Sequence, residues 1–392
     1  MKLMRAAGTH YHTAEKKTCL FLSMILDFTS GGIFQSILGQ GHPAIRKVLR
    51  DERILTSCYA PHHTNPWTER YRDMLKEWTG FESVALFTTG AEATEAFWRC
   101  MRVYSGKIGI WGGLIDPDEV GTDGPLSDSM HGQTLGAQIM AGKVTEATLG
   151  IGPAMGETRF GLAPEMTSGM IMEPYHSPSA QFHKIDPTIN RIISLQKEFP
   201  EIPLCVDEIQ GGFGRTGKQF AYEWYSARTG NLPLRADFIT IGKGAGAGMP
   251  LSALLGPKDI MESKVVKEHA HMHSTHSGHP LMCAVGCAVI EEMDKHYLIT
   301  RSYNLGLNLK EGLEDCGVRY HAGRGLLAGL EFKDAKEARR MVKACQKRGL
   351  LVVDTGRKWV KIGPALTITE DELETGIQII RDAIEEVLDG RP

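Results

Sequence analysis

The feature that most restricts the fold of this chain is a pair of short apolar runs that each end abruptly. Residues 202–206 read IPLCV and are followed by Asp207, and residues 238–241 read FITI and are followed by a glycine and Lys243. Short unbroken apolar runs are typical of strands buried on both faces of an α/β sheet. Because ligands of such sheets bind at the carboxyl ends of the strands, we expect Asp207 and Lys243 to face one crevice.

A carboxylate and an amine in one crevice fit a particular cofactor. Pyridoxal phosphate is held through a Schiff base to a lysine, and an acidic residue faces its pyridinium nitrogen. Lys243 and Asp207 are the candidates for these two positions. An ATP site is the weaker interpretation of the nearby glycine-rich stretch 212–218, because Gln219 stands where a P-loop needs serine or threonine.

A helix start earlier in the chain is the candidate phosphate site. Residues 88–98 read TTGAEATEAFW, in which Thr89 and Glu92 have the spacing of a capping box. The first turn of a helix carries N–H groups without intrahelical partners, and these groups bind anions such as phosphate. The alternative is a helix cap that binds no ligand.

Two stretches of the chain carry a family resemblance. DEIQGGFGRTGK (207–218) and ADFITIGKGAGAGMPLSALLG (236–256) resemble the paired motifs of class III aminotransferases, the ornithine and acetylornithine type with fold type I. The resemblance implies an α/β fold with a large domain, built on a mainly parallel sheet of the seven-stranded type, and a small α+β domain. Residues 46–290 are expected to form the large domain and 291–392 the small one, with the N-terminal segment 1–45 packed against the small domain.

The resemblance also implies roles for individual residues. Lys243 would hold the cofactor as a Schiff base and then carry a proton as general acid and base, while Asp207 would keep the pyridine nitrogen protonated. Gln210 would donate a hydrogen bond to the ring's O3' atom. The other residues expected to bind the cofactor come from three further motifs: Thr89, Gly90, Ala91, Met130, His131, Ser274 and Thr275.

Two of these motifs carry further expectations. Thr275 matches a hydroxyl that reaches the cofactor phosphate of the neighbouring subunit, so the resemblance implies a homodimer with shared active sites. Met130 stands where the family has an aromatic residue that stacks on the cofactor ring. The stabilising free energy of a sulfur–aromatic contact, about 0.3–1.5 kcal/mol, is close to the stabilising free energy of a ring stack. Cofactor binding is therefore expected to persist.

The departure that bears most on the substrate is Lys361. Residues 360–366 read VKIGPAL and resemble a family motif whose arginine grips the substrate α-carboxylate, and Lys361 takes that arginine's place. The family's glutamate switch, which masks the arginine, is missing after Glu173 and Pro174. One interpretation is a conservative exchange. The interpretation that we favour from the sequence is a pocket retuned toward a substrate whose carboxylate is distant, absent or replaced.

These residues predict an aminotransferase that moves an amino group from an amine or amino acid to a keto or aldehyde acceptor. An aminomutase or racemase of the same fold is the alternative, because it uses the same cofactor and returns the amine to the substrate. A protein that binds pyridoxal phosphate without turnover is a third interpretation. Small-molecule amine and keto substrates are the expected partners in each catalytic case.

Composition excludes several other classes. A net charge of −3 and an isoelectric point near 6.6 provide no basic surface for nucleic acid, and no apolar run approaches the length of a membrane span. The eight cysteines are scattered, as in reduced cytoplasmic proteins. Five histidines lie between residues 269 and 279, but they lack the spacing of a metal site, so no metal is expected.

Overall fold

The computed structural model describes most of the chain, in nine segments. These segments are residues 3–13, 23–55, 64–107, 109–111, 164–177, 180–182, 189–226, 233–321 and 323–389.

The strands of the described residues form four sheets. In chain order they are β1 (Leu3–Ala7), β2 (His10–Thr13), β3 (Ser23–Asp27), β4 (Ser83–Phe87), β5 (Gly109–Trp111), β6 (Thr167–Met172), β7 (Tyr175–His176), β8 (Gln181–Phe182), β9 (Leu204–Asp207), β10 (Phe238–Ile241), β11 (Ser252–Gly256), β12 (Arg319–His321), β13 (Ala328–Glu331), β14 (Leu350–Leu351), β15 (Val353–Asp354) and β16 (Trp359–Ile362).

The α-helices alternate with these strands. They are α1 (Pro43–Val48), α2 (Glu52–Leu55), α3 (Pro66–Thr79), α4 (Gly90–Ser105), α5 (Asn190–Glu198), α6 (Glu223–Ser226), α7 (Lys258–Met261), α8 (Lys264–His269), α9 (Pro280–Lys295), α10 (Leu298–Leu313), α11 (Ala335–Lys347) and α12 (Glu370–Asp389).

The central sheet has the strand order β4-β11-β10-β9-β6-β5 within the described residues. β10, β9, β6 and β5 pair in parallel, and β11 pairs antiparallel with both β10 and β4. The predicted mainly parallel α/β sheet is therefore confirmed. Thr240 lies opposite Asp207 in the register of β10 and β9, so these two strands end side by side.

Helices cover both faces of this sheet, which explains why β6, β9, β10 and β11 are buried at every position and are mostly apolar. On β10, Phe238 points toward α4, where its ring centre lies 5.2 Å from that of Phe97. Ile239 and Ile241 point to the opposite face and join the larger core that includes the buried side of α9. Burial on both faces removes the alternation of polar and apolar residues seen in half-exposed strands.

Of the remaining described strands, β7 and β8 form a two-stranded sheet, and the others build two four-stranded sheets. Their strand orders are β1-β2-β3-β14 and β12-β13-β16-β15. β14 pairs in parallel with β3, so the beginning of the chain shares a sheet with a strand from its last quarter. The fully buried Arg215 joins these parts to the loop after β9, because it donates hydrogen bonds to the carbonyls of Leu326 and Pro364 and to Ser30 Oγ.

Local sequence signals set where one of these helices begins. α3 begins at Pro66, because the Asn65 side chain accepts a hydrogen bond from Trp67 N and proline suits the first helical position.

Candidate active site

Lys243 and Asp207 lie at neighbouring strand ends of the central sheet. Asp207 is the last residue of β9, and Lys243 begins a tight turn two residues after β10 with a left-handed φ of 37°. Burial lowers the pKa of Lys243, and the negative charges of Asp207 and Glu173 oppose that shift without cancelling it. The lysine therefore loses its proton more readily than a free lysine does, and the neutral amine is the nucleophilic form.

The loop after β9 presents two polar side chains to the same region. Asp207 is 6% exposed, and its Oδ1 accepts a hydrogen bond of 3.0 Å from Ile209 N. The Gln210 Nε2 atom is buried and has no hydrogen-bond partner in the described part of the chain. A buried donor without a protein partner suits an acceptor on a bound molecule, because leaving such a group unpaired costs about 1–3 kcal/mol.

The start of α4 has the geometry expected of an anion site. Thr89 Oγ1 accepts from Glu92 N at 3.2 Å, and Glu92 Oε2 accepts from Thr89 N at 2.8 Å, so the predicted capping box is confirmed. Gly90 and Ala91 form the first turn of this helix. The positive end of the helix dipole and its free N–H groups therefore open at Thr89.

Ile209 brings this helix start together with Lys243. A Cβ atom on Gly90 would lie 2.6 Å from Ile209 Cδ1, and a Cβ on Gly242 would lie 3.3 Å from Ile209 Cγ2 and 3.6 Å from Gly90 Cα. The two glycines therefore allow α4, the loop after β9 and the turn that carries Lys243 to meet. Thr89, Gly90, Asp207, Gln210 and Lys243 lie around one region of the sheet edge.

Ser274 also reaches the start of α4. Burial would raise the pKa of Glu92, but hydrogen bonds from Thr88, Ser274 and Thr89 outweigh it and lower this pKa. Ser274 N donates to Ser277 Oγ at 2.7 Å, which fixes the loop before α9. Thr275 follows in this loop. The predicted Met130 and His131 lie outside the described residues.

Lys361 approaches Lys243 from a different sheet. It lies on β16, is 9% exposed, and donates a hydrogen bond of 3.1 Å from Nζ to Ser177 Oγ. Burial and the positive charge of Lys243 lower its pKa, Glu173 opposes them, and the net result is a pKa of about 8. Lys243 and Lys361 thus both interact with the Glu173 carboxylate, and the two lysines are close enough for their charges to interact.

Sequence reasoning missed three side chains here. Glu173 follows β6, whose neighbour in the sheet is β9, so the rule that ligands gather at carboxyl strand ends could have found it. Ser177 is the partner of Lys361. The Phe34 ring centre lies 5.6 Å from Lys361 Nζ, and no pattern in the sequence connects residues so distant along the chain.

Comparison with known proteins decides the family, because residues 154–384 match Aminotransferase class-III. The chain belongs to the class III aminotransferases. It is 26% identical to the acetylornithine aminotransferase of Aquifex aeolicus, over 98% of this chain and 97% of that protein. It is 28% identical to the ornithine aminotransferase of Oceanobacillus iheyensis, over 88% of this chain and 86% of that protein.

Solved structures support the same fold for this class III aminotransferase. The acetylornithine aminotransferase of Elizabethkingia anophelis superposes with a TM-score of 0.76 at 21% identity, covering 98% of this chain and 93% of that one. An S-selective transaminase from Arthrobacter sp. with alanine bound gives a TM-score of 0.76 at 18% identity, covering 99% and 93%. The enzyme has fold type I and depends on pyridoxal 5'-phosphate, and the unpartnered Gln210 amide and the open start of α4 fit that cofactor.

Metal sites and membrane-spanning helices are the two other features considered in the described residues. In the described ranges, no cluster of three or more histidine, cysteine or acidic side chains could hold a metal ion, and the histidine-rich stretch 269–279 falls inside those ranges. None of the described helices is long and apolar enough to cross a membrane.

Proposed function

We propose that Lys243 is the residue of this aminotransferase that binds the cofactor covalently and moves the proton during amine transfer. The observation that carries the proposal is its position beside Asp207, at neighbouring strand ends, with a pKa lowered by burial. Bound pyridoxal phosphate supplies an electron sink for the bonds of the substrate's amine-bearing carbon. The Lys243 amine would be placed to accept that carbon's proton and return it.

The other proposed residues hold and orient the cofactor. The Asp207 carboxylate faces the ring nitrogen and favours its protonated state, because a negative charge within about 4–6 Å stabilises a cation. Gln210 Nε2 donates to the ring oxygen, which satisfies a buried donor that otherwise has no partner among the described residues. Thr89, Gly90 and Ala91 receive the phosphate at the start of α4. Ser274 supports that turn through Glu92.

Lys361 is the proposed anchor for a substrate carboxylate. The sequence favoured a pocket retuned away from such a carboxylate, whereas the position of Lys361, in electrostatic contact with Lys243, supports the conservative alternative. A carboxylate between these two lysines would lie close to the carbon that reacts. We therefore propose an amino acid as one substrate and a keto acid or aldehyde as the other.

Assembly, location and domain division are part of the same proposal. A homodimer would bring Thr275 of the partner subunit to the phosphate. The six described cysteines are free thiols, which supports a reducing compartment such as the cytoplasm. Residues 46–290 and 291–392 are proposed as the large and small domains, and the pairing of β3 with β14 supports packing of residues 1–45 with the small domain.

A half-reaction tests amine transfer directly. The cofactor-loaded enzyme is mixed with single amino acids in the absence of an acceptor, and the cofactor's absorption is followed. An aminotransferase converts the cofactor to its aminated form permanently and releases one equivalent of keto product per site. An aminomutase or racemase returns the original absorption without keto product, and a protein without turnover changes nothing beyond binding. Either of the last two results would refute the proposal.

A further inference from the structure

The surroundings of Lys361 differ from those of an ordinary ion pair. Its Nζ atom contacts the Ser177 hydroxyl at 3.1 Å and lies 5.6 Å from the centre of the Phe34 ring. A hydroxyl can accept a hydrogen bond from an ammonium and can equally donate one to a neutral amine. An aromatic face attracts a cation and also packs against an uncharged chain. These two contacts can therefore satisfy either protonation state of the lysine.

Two charged groups act on Lys361, and a third lies near the same aromatic ring. Lys243 lies on the turn after β10, and Glu173 follows β6. Arg215, from the loop after β9, lies 5.9 Å from the centre of the same Phe34 ring. Burial and Lys243 disfavour the ammonium, while Glu173 favours it, and the balance brings the pKa of Lys361 down to about 8. The two forms are thus of comparable population in mildly alkaline solution.

An aminotransferase must admit two different substrates to one site in turn. Suppose that only one of the two substrates has a carboxylate next to position 361. A permanent cation at this position would then be buried without that partner whenever the other substrate is bound, which is costly. A guanidinium cannot lose its proton under these conditions, whereas a buried lysine can.

We propose that Lys361 recognises both kinds of substrate by changing its own charge: it takes up a proton to pair with a substrate carboxylate and releases it to accept an uncharged group. The inference rests on the proposed role of Lys361 as the carboxylate anchor and adds a mechanism for the second substrate. When the uncharged group is bound, Lys361 becomes neutral by losing its proton. An arginine at this position would instead need an acidic side chain that moves in to neutralise its charge. Ser177 and Phe34 hold the side chain in place in both states.

Proton uptake on binding is the direct test. Propionate is titrated into the cofactor-loaded enzyme by calorimetry, in pairs of buffers with different heats of ionisation, and propionamide serves as the matched uncharged control. The pKa of about 8 applies while Lys243 is a free cation, and burial still lowers the pKa of Lys361 once Lys243 carries the cofactor. We therefore expect the uptake per propionate to rise from a small fraction of a proton at pH 7 toward one proton at more alkaline pH. Any protonation change at Lys243 is read separately from the cofactor's absorption and subtracted. The variant Lys361→Arg should take up essentially none at either pH.

Substrate preference provides a second readout. Norvaline and butylamine differ only in the carboxylate, and the ratio of their kcat/KM values is measured from pH 7 to 10 in the wild type and in Lys361→Arg. Dividing the wild-type ratio by the variant ratio cancels the titration of the substrates themselves. This quotient should fall by about tenfold per pH unit above pH 8, because only the wild-type cation is lost.

The outcomes separate the two proposals. Propionate binding without proton uptake, together with a quotient that does not change with pH, would overturn the change of charge and leave the carboxylate anchor standing. Propionate that binds no better than propionamide to the wild type at pH 7 would refute the anchor itself, and with it this inference. Amine transfer in the half-reaction does not depend on either result.

Discussion

At the scale of single residues, the site is governed by how burial and charge act on two lysines. Lys243 and Lys361 both have pKa values below that of a free lysine, chiefly through burial. The two differ in their partners, since Asp207 acts on Lys243 and Ser177 contacts Lys361. This difference supports the proposed roles, which are chemistry for Lys243 and substrate recognition for Lys361.

The variant Asp207→Asn tests the charge at the ring nitrogen. Asp207 raises the pKa of Lys243, so its removal should lower that pKa further, and the pH at which the apoenzyme's Lys243 titrates should move down. The rate of amine transfer should fall by about 100–10,000-fold, the range expected for a lost proton-handling group. Chemical labelling of the apoenzyme across pH and half-reaction rates provide the two readouts. An unchanged titration of Lys243 would contradict the proposed proximity.

Residue chemistry also marks what the sequence could and could not predict. The positions of Asp207 and Lys243 at strand ends were predictable, because Asp207 closes one short, fully buried run and Lys243 follows another after a single glycine. The neighbourhood of Lys361 was not, because Phe34 and Ser177 are brought to it by tertiary packing across separate sheets. A motif shows that an arginine is replaced, whereas only the fold shows what surrounds the replacement.

At the scale of secondary-structure elements, the site depends on the close approach of three chain segments around Ile209. Gly90 opens α4, and Gly242 precedes the turn of Lys243. Both glycines leave room for the Ile209 side chain. The capping box between Thr89 and Glu92 was predictable from spacing alone, but this contact was not, since nothing in the sequence pairs Gly90 with Ile209.

The variant Gly90→Ala should weaken cofactor retention. Its new Cβ would lie 2.6 Å from Ile209 Cδ1, so the Ile209 side chain must shift beside the helix start that is proposed to receive the phosphate. Alanine raises helix propensity by about 1 kcal/mol, so the thermal stability of the apoenzyme should not fall in parallel. We expect a cofactor dissociation constant at least about tenfold higher, measured by absorbance titration, equivalent to about 1.4 kcal/mol.

A compensating change is the control for this prediction. Ile209→Ala removes the atoms that the new Cβ would meet, so the double variant with Gly90→Ala should bind the cofactor better than Gly90→Ala alone. If the losses of cofactor affinity in the two single variants simply add up in the double variant, the contact between these residues is not responsible.

At the scale of the whole molecule, the central claim about assembly is that each active site uses both subunits. Thr275→Ala should weaken cofactor retention without loss of fold, because its hydroxyl is proposed to reach the neighbouring phosphate. Lys243→Ala should abolish amine transfer. The two variants are then mixed after partial unfolding so that they form hybrid dimers, each with one intact site. Random pairing makes about half of the dimers hybrids, so activity should recover to about a quarter of that of the wild type.

Sedimentation checks the same prediction from the other side. The active enzyme should sediment as a dimer at all concentrations that support turnover. A monomer that retains full activity, or mixing that recovers none, would contradict the shared site.

The most direct test of the account is the identity of the lysine that carries the cofactor. The site contains two buried lysines with lowered pKa, so the chain itself supplies the competing candidate. Borohydride reduction of the cofactor-loaded enzyme, followed by peptide mass mapping, should place the stable adduct on Lys243, and the Lys243→Ala variant should yield none while Lys361→Arg yields it in full. An adduct on Lys361, or one that survives in Lys243→Ala, would contradict the assignment on which the proposed function rests.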